Sequence, residues 1–131
     1  MKKQVEVVAA IIVNNNEILC VQRGPNKFDY ISNKYEFPGG KIEHGEDQVS
    51  ALKRELSEEL NISLNNPFKF MTVNHEYPDF HLVMHAYVCE VESRFFELKE
   101  HINAVWRIPN EMEDLDWAAA DLPIVYKLMN P

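Results

Sequence analysis

Residues 39–62 read GGKIEHGEDQVSALKRELSEELNI, and two patterns laid over this stretch decide the fold. Val49, Leu52, Leu56 and Leu60 recur at spacings of three and four, one apolar stripe of a helix running from near Glu46 to Leu60. Asn61 tolerates the left-handed backbone that ends helices, less readily than glycine, and Pro67 stands beyond it. The second pattern is charge: Glu43, Glu46, Asp47, Glu55, Glu58 and Glu59 are opposed within these turns only by Lys53 and Arg54. With about 100° between successive residues, Glu55, Glu58 and Glu59 share one arc beside the apolar stripe, and the same wheel sets Arg54 well away from Glu55 and Glu59.

Like charges three and four residues apart repel, more so where they are partly desolvated. Such a helix is either a solvated acidic face, with Arg54 pairing to Glu58 one turn on, or the holder of a hard cation. Mg²⁺ suits the second reading because it takes carboxylate and carbonyl oxygens and keeps positions open for phosphates. The preceding Phe37-Pro38-Gly39-Gly40-Lys41 favours it, since two glycines permit unusual backbone angles and let a main-chain carbonyl turn toward a cation on the helix.

Outward from this segment the chain reads as strands. Val5 to Val13 is rich in β-branched residues, Asn14-Asn15-Asn16 supplies a turn, and Glu17 to Arg23 resumes the strand pattern. Gly24 to Asn33 is a surface loop carrying Phe28, Tyr30 and Ile31. Phe68 to Tyr77 and Phe80 to Val91 form two antiparallel strands around Pro78-Asp79, Ala104 to Ile108 another, and Asp121 to Met129 a closing helix. The order β, β, loop, α, β, β, β, α predicts an α/β fold, a mixed sheet between helices, in one domain spanning residues 1–131.

Composition limits the function. Apolar residues are 46% and charged residues 26%, the balance of a chain that folds around a core. No apolar run spans a bilayer and Glu6 interrupts any leader-like start, so no membrane partner and a cytoplasmic location are expected. A net charge of −8 argues against a nucleic-acid polymer, although a small polyphosphate remains accessible through a metal. Cys20 and Cys89 sit in apolar runs as small buried hydrophobes, and the five histidines read as polar-face or core residues.

The segment closely resembles the Nudix box, G-x5-E-x7-R-E-U-x-E-E-x-G-U with U aliphatic. Gly40, Glu46, Arg54, Glu55, Leu56, Glu58, Glu59 and Ile62 fill eight of its nine defined positions, and Asn61 replaces the last glycine. The resemblance implies a Nudix-type α/β/α sandwich and a hydrolase using Mg²⁺, or Mn²⁺. It implies that Glu55, Glu58 and Glu59 bind metal with the Gly39 carbonyl, and that Arg54 and Glu46 orient those carboxylates. Glu55 is the first choice to position or deprotonate the attacking water. Glu100, ahead of Trp106, corresponds to an additional metal or base carboxylate in relatives, or is a solvated loop charge.

Similarity to the MutT-type branch runs from Met1-Lys2-Lys3 through Tyr35 to Glu43 and Glu76-Tyr77-Pro78-Asp79 to the final helix. It implies a small-molecule nucleoside triphosphate cleaved to monophosphate and pyrophosphate, by a monomer or homodimer. Arg23 would contact phosphate, Tyr30 would cover the nucleotide, and Glu36, Phe37 and Pro38 would line the base and sugar side. Asp121 stands where relatives that sanitise oxidised guanine nucleotides carry Asn. It is either a helix N-cap or a base reader that, when ionised, accepts only. Phe80 replaces an Arg of that pattern with a stacking surface. The expected substrate is an oxidised purine such as 8-oxo-dGTP, with CTP, dCTP or 5-methyl-dCTP second. A rival of another class is a non-catalytic nucleotide-binding regulatory Nudix domain.

Overall fold

Strand β1, Lys3–Asn14, is buried on both faces through its middle, Val8 to Ile12. Such a continuous apolar run belongs to a strand covered from both sides. The structure, a computed structural model, describes residues 2–131; Met1, the first residue of the Met1-Lys2-Lys3 resemblance, lies outside the described residues. The expected hairpin joins β1 to β2, Glu17–Gln22, through Asn15 and Asn16 at φ 51° and 65°. Two successive positive φ values make the tight turn whose twist matches paired strands, and Asn supplies them at low steric cost.

Two short strands that the sequence reading passed over come next: β3, Tyr35–Glu36, and β4, Gly39–Lys41. Gly39 and Gly40, expected as a turn with unusual angles, are paired in β4 with Ala9 and Val8 of β1. The glycines serve close approach here: a Cβ on Gly39 would lie 2.0 Å from the Val8 carbonyl oxygen.

Helix α1, Gln48–Leu60, begins two residues later than the apolar stripe suggested, because the Asp47 carboxylate accepts from Ser50 N at 2.8 Å and caps it. It ends as expected, with Asn61 left-handed at φ 55° and its N–H donating to Ser57 O at 3.1 Å. Strands β5, Phe68–Glu76, β6, Phe80–Glu90, and β7, Asn103–Arg107, follow within a residue or two of expectation. After 3-10 turns at Pro109–Asp114 and Ala119–Asp121 the chain closes in helix α2, Leu122–Met129.

The mixed sheet runs β3-β2-β1-β6-β5, with β4 added on β1 and β7 on β2. β1 is parallel to β6 from Lys3 opposite Phe80 to Val13 opposite Glu90, and its other pairings are antiparallel. Val8, Ala10 and Ile12 meet Leu52, Leu56 and Leu60 of α1 on one face, while Ala9 and Ile11 share the other with Phe37, Trp117, Ile124 and Val125. Each fully buried Leu of α1 contributes about 1.5–3 kcal/mol of transfer free energy, so the apolar stripe fixes which face the carboxylates take. The α/β/α sandwich predicted from element order is therefore what forms.

The cap is testable. Asn61→Ala should destabilise the protein by about 1 kcal/mol in urea unfolding, since alanine lacks the asparagine's tolerance of left-handed backbone. An unchanged midpoint would remove the cap from the account of how α1 ends.

Candidate active site

Arg54 sits at the centre of the carboxylate cluster. Its Nε donates to Glu46 Oε2 at 2.7 Å and its Nη2 to Glu46 Oε1 at 2.9 Å and to the Lys41 carbonyl at 3.0 Å. Nη1 reaches Glu55 Oε1 at 2.9 Å, Glu58 Oε2 at 3.4 Å and Glu43 Oε1 at 3.5 Å. This corrects the helical wheel, which set Arg54 apart from Glu55: the wheel places Cα atoms, and a side chain of this length spans the gap. Hydrogen bonds from Arg54, helped by the Glu43 backbone N–H, hold the Glu46 carboxyl down at about 2.

The three helix carboxylates differ. Glu58 is exposed, Glu55 is mostly covered, and Glu59 is buried with Oε1 lacking any hydrogen-bond partner among the described residues. Burial, then the adjacent Glu100, then the charges of Glu55 and Glu36 push the Glu59 carboxyl up to about 9. Burial likewise raises Glu55, with Arg54 opposing. Among the described residues no three Asp, Glu, His or Cys side chains close into a metal-holding group, and Glu55 and Glu58 both face Arg54. The donor chemistry nevertheless fits a hard divalent cation: oxygen ligands only, one of them buried and partnerless, crowded by further carboxylates.

Beside this cluster lies a second group. Arg23 Nε and Nη2 donate to Glu36 Oε1 at 3.2 and 2.9 Å, and His101 Nε2 contacts Glu36 Oε2 at 2.9 Å. Burial alone would raise the Glu36 carboxyl; the bonds from His101 and Arg23 outweigh it and hold Glu36 below the usual range. Both oxygens of Glu36, expected along the base and sugar side, are thus committed within the protein. Phe37 is interior, its ring 4.8 Å from that of Trp117, and Pro38 is fully buried with its carbonyl accepting from Ala10 N at 2.8 Å.

The Asp121 side chain makes no cap bond to a helix; Oδ1 accepts from Phe37 N at 3.1 Å in the interior. Burial, with the Glu36 charge behind it, raises this carboxyl well above the ordinary range. The interior thus shifts Asp121 toward its protonated form, against the expectation of an ionised, accept-only group. The aromatics form a group of their own: Tyr30 stacks on Tyr77 at 5.0 Å and Phe28 at 5.4 Å, Phe80 lies 5.1 Å from Tyr77, and the Tyr30 hydroxyl donates to Asp79 at 2.7 Å.

Sequence reasoning missed His101 and Tyr77. The available signals were that His101 adjoins Glu100 and that Tyr77 stands beside the Pro78 turn. Of the histidines, His81 contacts Glu76, and His85 contacts Glu6 at 2.7 Å. Cys20 and Cys89 are free and buried, and burial pushes both thiols up to about 12. No helix among the described residues is long and apolar enough to cross a membrane.

A carboxylate helix, its arginine hub and a glycine strand on a mixed sheet define the class, and the sequence profile of the NUDIX domain matches residues 2–128: the chain belongs to the Nudix family. It is a Nudix hydrolase, 33% identical over 127 residues to the 8-oxo-dGTP diphosphatase of Escherichia coli (strain K12), covering 96% of this chain and 97% of that protein. It is also 35% identical over 127 residues to the CTP pyrophosphohydrolase of the same strain, covering 97% and 93%. The solution structure of the E. coli ORF135 protein superposes with a TM-score of 0.83 at 35% identity, over 98% of this chain and 90% of that one. Nudix hydrolases typically use a divalent metal.

The adjacent glycines should fail differently. A Cβ on Gly40 would lie 2.4 Å from the Glu55 carboxylate, a movable group, whereas one on Gly39 meets backbone. Gly40→Ala should cut turnover at least about tenfold with under about 1 kcal/mol lost in stability, and Gly39→Ala should cost more than about 2 kcal/mol. Equal stability losses in thermal unfolding would contradict this division.

Proposed function

We propose that this single-domain protein is a cytoplasmic Mg²⁺-dependent pyrophosphohydrolase of the nucleotide pool. It converts a (deoxy)nucleoside triphosphate and water to the monophosphate and pyrophosphate, with an oxidised purine such as 8-oxo-dGTP as preferred substrate. Glu55, Glu58 and Glu59, with Glu100 and the Gly39 carbonyl, would hold Mg²⁺, or Mn²⁺ in its place. When bound, the cation would neutralise the triphosphate and acidify a water near phosphorus.

The chain's own groups do the rest. Arg54 and Glu46 hold Glu55 in place, and Glu55 orients the attacking water and receives its proton. Arg23, braced by Glu36, directs its remaining N–H groups at the phosphates. Tyr30 and Phe80 offer flat apolar surfaces for a base and shield it from water.

The observation that carries the substrate reading is the buried Asp121, whose carboxyl the interior shifts toward its protonated form. A neutral carboxyl offers a donor beside an acceptor, as an asparagine amide does. Ordinary guanine presents acceptors at both N7 and O6, whereas 8-oxoguanine has a proton on N7 beside the O6 acceptor and so matches. The similarity to the 8-oxo-dGTP diphosphatase supports this reading. The second reading, a cytosine triphosphate, draws on Phe80 and on the similarity to the CTP pyrophosphohydrolase, because cytosine also sets a donor beside an acceptor.

A panel of canonical, methylated and oxidised triphosphates with Mg²⁺, compared by kcat/KM, tests the substrate. The oxidised guanine nucleotide should lead. Asp121→Asn should keep the ranking at neutral pH and Asp121→Ala should flatten it by about tenfold or more; unchanged ranking in the alanine variant would remove Asp121 as base reader. The same residue gives a stability signature. Its folded pKa lies above its unfolded one, so the native state binds the extra proton and stability falls as pH rises from about 4 toward neutrality. Asp121→Asn should flatten that slope in denaturant titrations.

Glu58→Gln should reduce Mg²⁺-dependent pyrophosphate release at least about a hundredfold while leaving the melting temperature near wild type, since Glu58 is exposed. Retained activity would break the ligand assignment.

A further inference from the structure

His101 has no role in the reading above, yet its side chain is only 4% exposed and lies between the two halves of the site. Its ring nitrogens are unequal. Nε2 is 2.9 Å from Glu36 Oε2 and 4.0 Å from Glu59 Oε2, and Nδ1 is buried without a hydrogen-bond partner among the described residues. Because a carboxylate only accepts, Nε2 carries the proton in this contact and donates to Glu36.

Glu36 is consequently gripped from two sides, by the Arg23 fork on Oε1 and by the imidazole on Oε2. Its carboxylate cannot turn about its last torsion without breaking one of these bonds. The guanidinium is a rigid plane, so a carboxylate of fixed orientation also fixes the orientation of Arg23. Nη1 of Arg23 takes no part in the pair and stays available. Without a donor at position 101, Glu36 Oε2 would lose its partner.

We infer that His101 is a positioning residue of the triphosphate site: it clamps Glu36 so that Arg23 presents its free N–H groups to the phosphates. The inference rests on the triphosphate reading for what Arg23 meets, but the clamp itself exists in the free protein. It assigns Glu36 to bracing Arg23 and removes it from the surface that touches nucleotide. The required atom is specific. A glutamine amide reaches about as far as Nε2, whereas an asparagine amide stops near Nδ1, so His101→Gln should keep the clamp and His101→Asn should lose it.

Two measurements on the full chain test this. In nitrogen-15 NMR of the free protein, the Arg23 Nε–H signal, assigned by its loss in Arg23→Lys, should resist exchange with water in wild type and His101→Gln and broaden away in His101→Asn. In kinetics with the best substrate of the panel, His101→Asn should raise KM about tenfold with kcat changed less than about threefold, and His101→Gln should restore KM to within about twofold. The Mg²⁺ concentration for half-activation should not move, and adding His101→Asn to Arg23→Ala should raise KM no further. A protected Arg23 signal in His101→Asn would overturn the inference. So would a loss confined to kcat, a shifted Mg²⁺ requirement, or additive effects with Arg23→Ala. Should the wild type turn over no triphosphate, the proposed function fails, and the Arg23 signal still decides the clamp.

Discussion

One guanidinium ties together the parts from which the site is built. Arg54 projects from α1, yet it is bound to Glu43 and Glu46 in the preceding loop, to the Lys41 carbonyl of β4, and to Glu55 and Glu58 on its own helix. A planar fork with five donors can serve several acceptors at once, where a lysine offers a single compact charge. Glu46 gains most from it, as its strongly lowered pKa records. Removing this one cation would leave the acidic residues of two segments to repel each other and the loop before α1 without an anchor.

The arginine hub works because β1 holds both sides of the molecule in register. Val8 and Ala9 pair with the glycines of β4, while the same residues send their side chains to opposite cores. The strand thus sets the distance between the glycine backbone and α1, close enough that even a methyl group on Gly40 would collide with Glu55. On the other face Phe37 and Trp117 carry this order to α2, where Asp121 is fastened to Phe37 N. The carboxylate cluster and Asp121 are therefore two ends of one continuous packing arrangement.

The parts legible in the sequence are those with a long period. The α1 stripe, β5, β6 and the tail helix each repeat a pattern over enough residues to show, and the Asn15-Asn16 turn shows by residue type alone. Strands β3 and β4 are two and three residues long, too short for an alternation to register, and β4 is largely glycine. Within the site, the Nudix-box spacing identified Arg54 and its carboxylates, while the helical wheel misjudged the reach of the arginine. The upward shift of the Asp121 carboxyl depends on burial beside Glu36, residues 85 positions apart in the chain, and no local motif encodes it. His101 escaped for the same reason: its meaning lies in what Glu36 and Glu59 place around it.

Cys20 and Cys89 acquire significance from the setting in which such a protein would work. Sulfur chemistry with peroxides proceeds through the thiolate and needs access. Both thiols here are interior, and burial holds their protons to about pH 12. On the proposed reading, the conditions that damage guanine nucleotides are those under which this hydrolase is needed. Its only cysteines are withdrawn from that chemistry, so its working life during an oxidant burst is not set by its thiols.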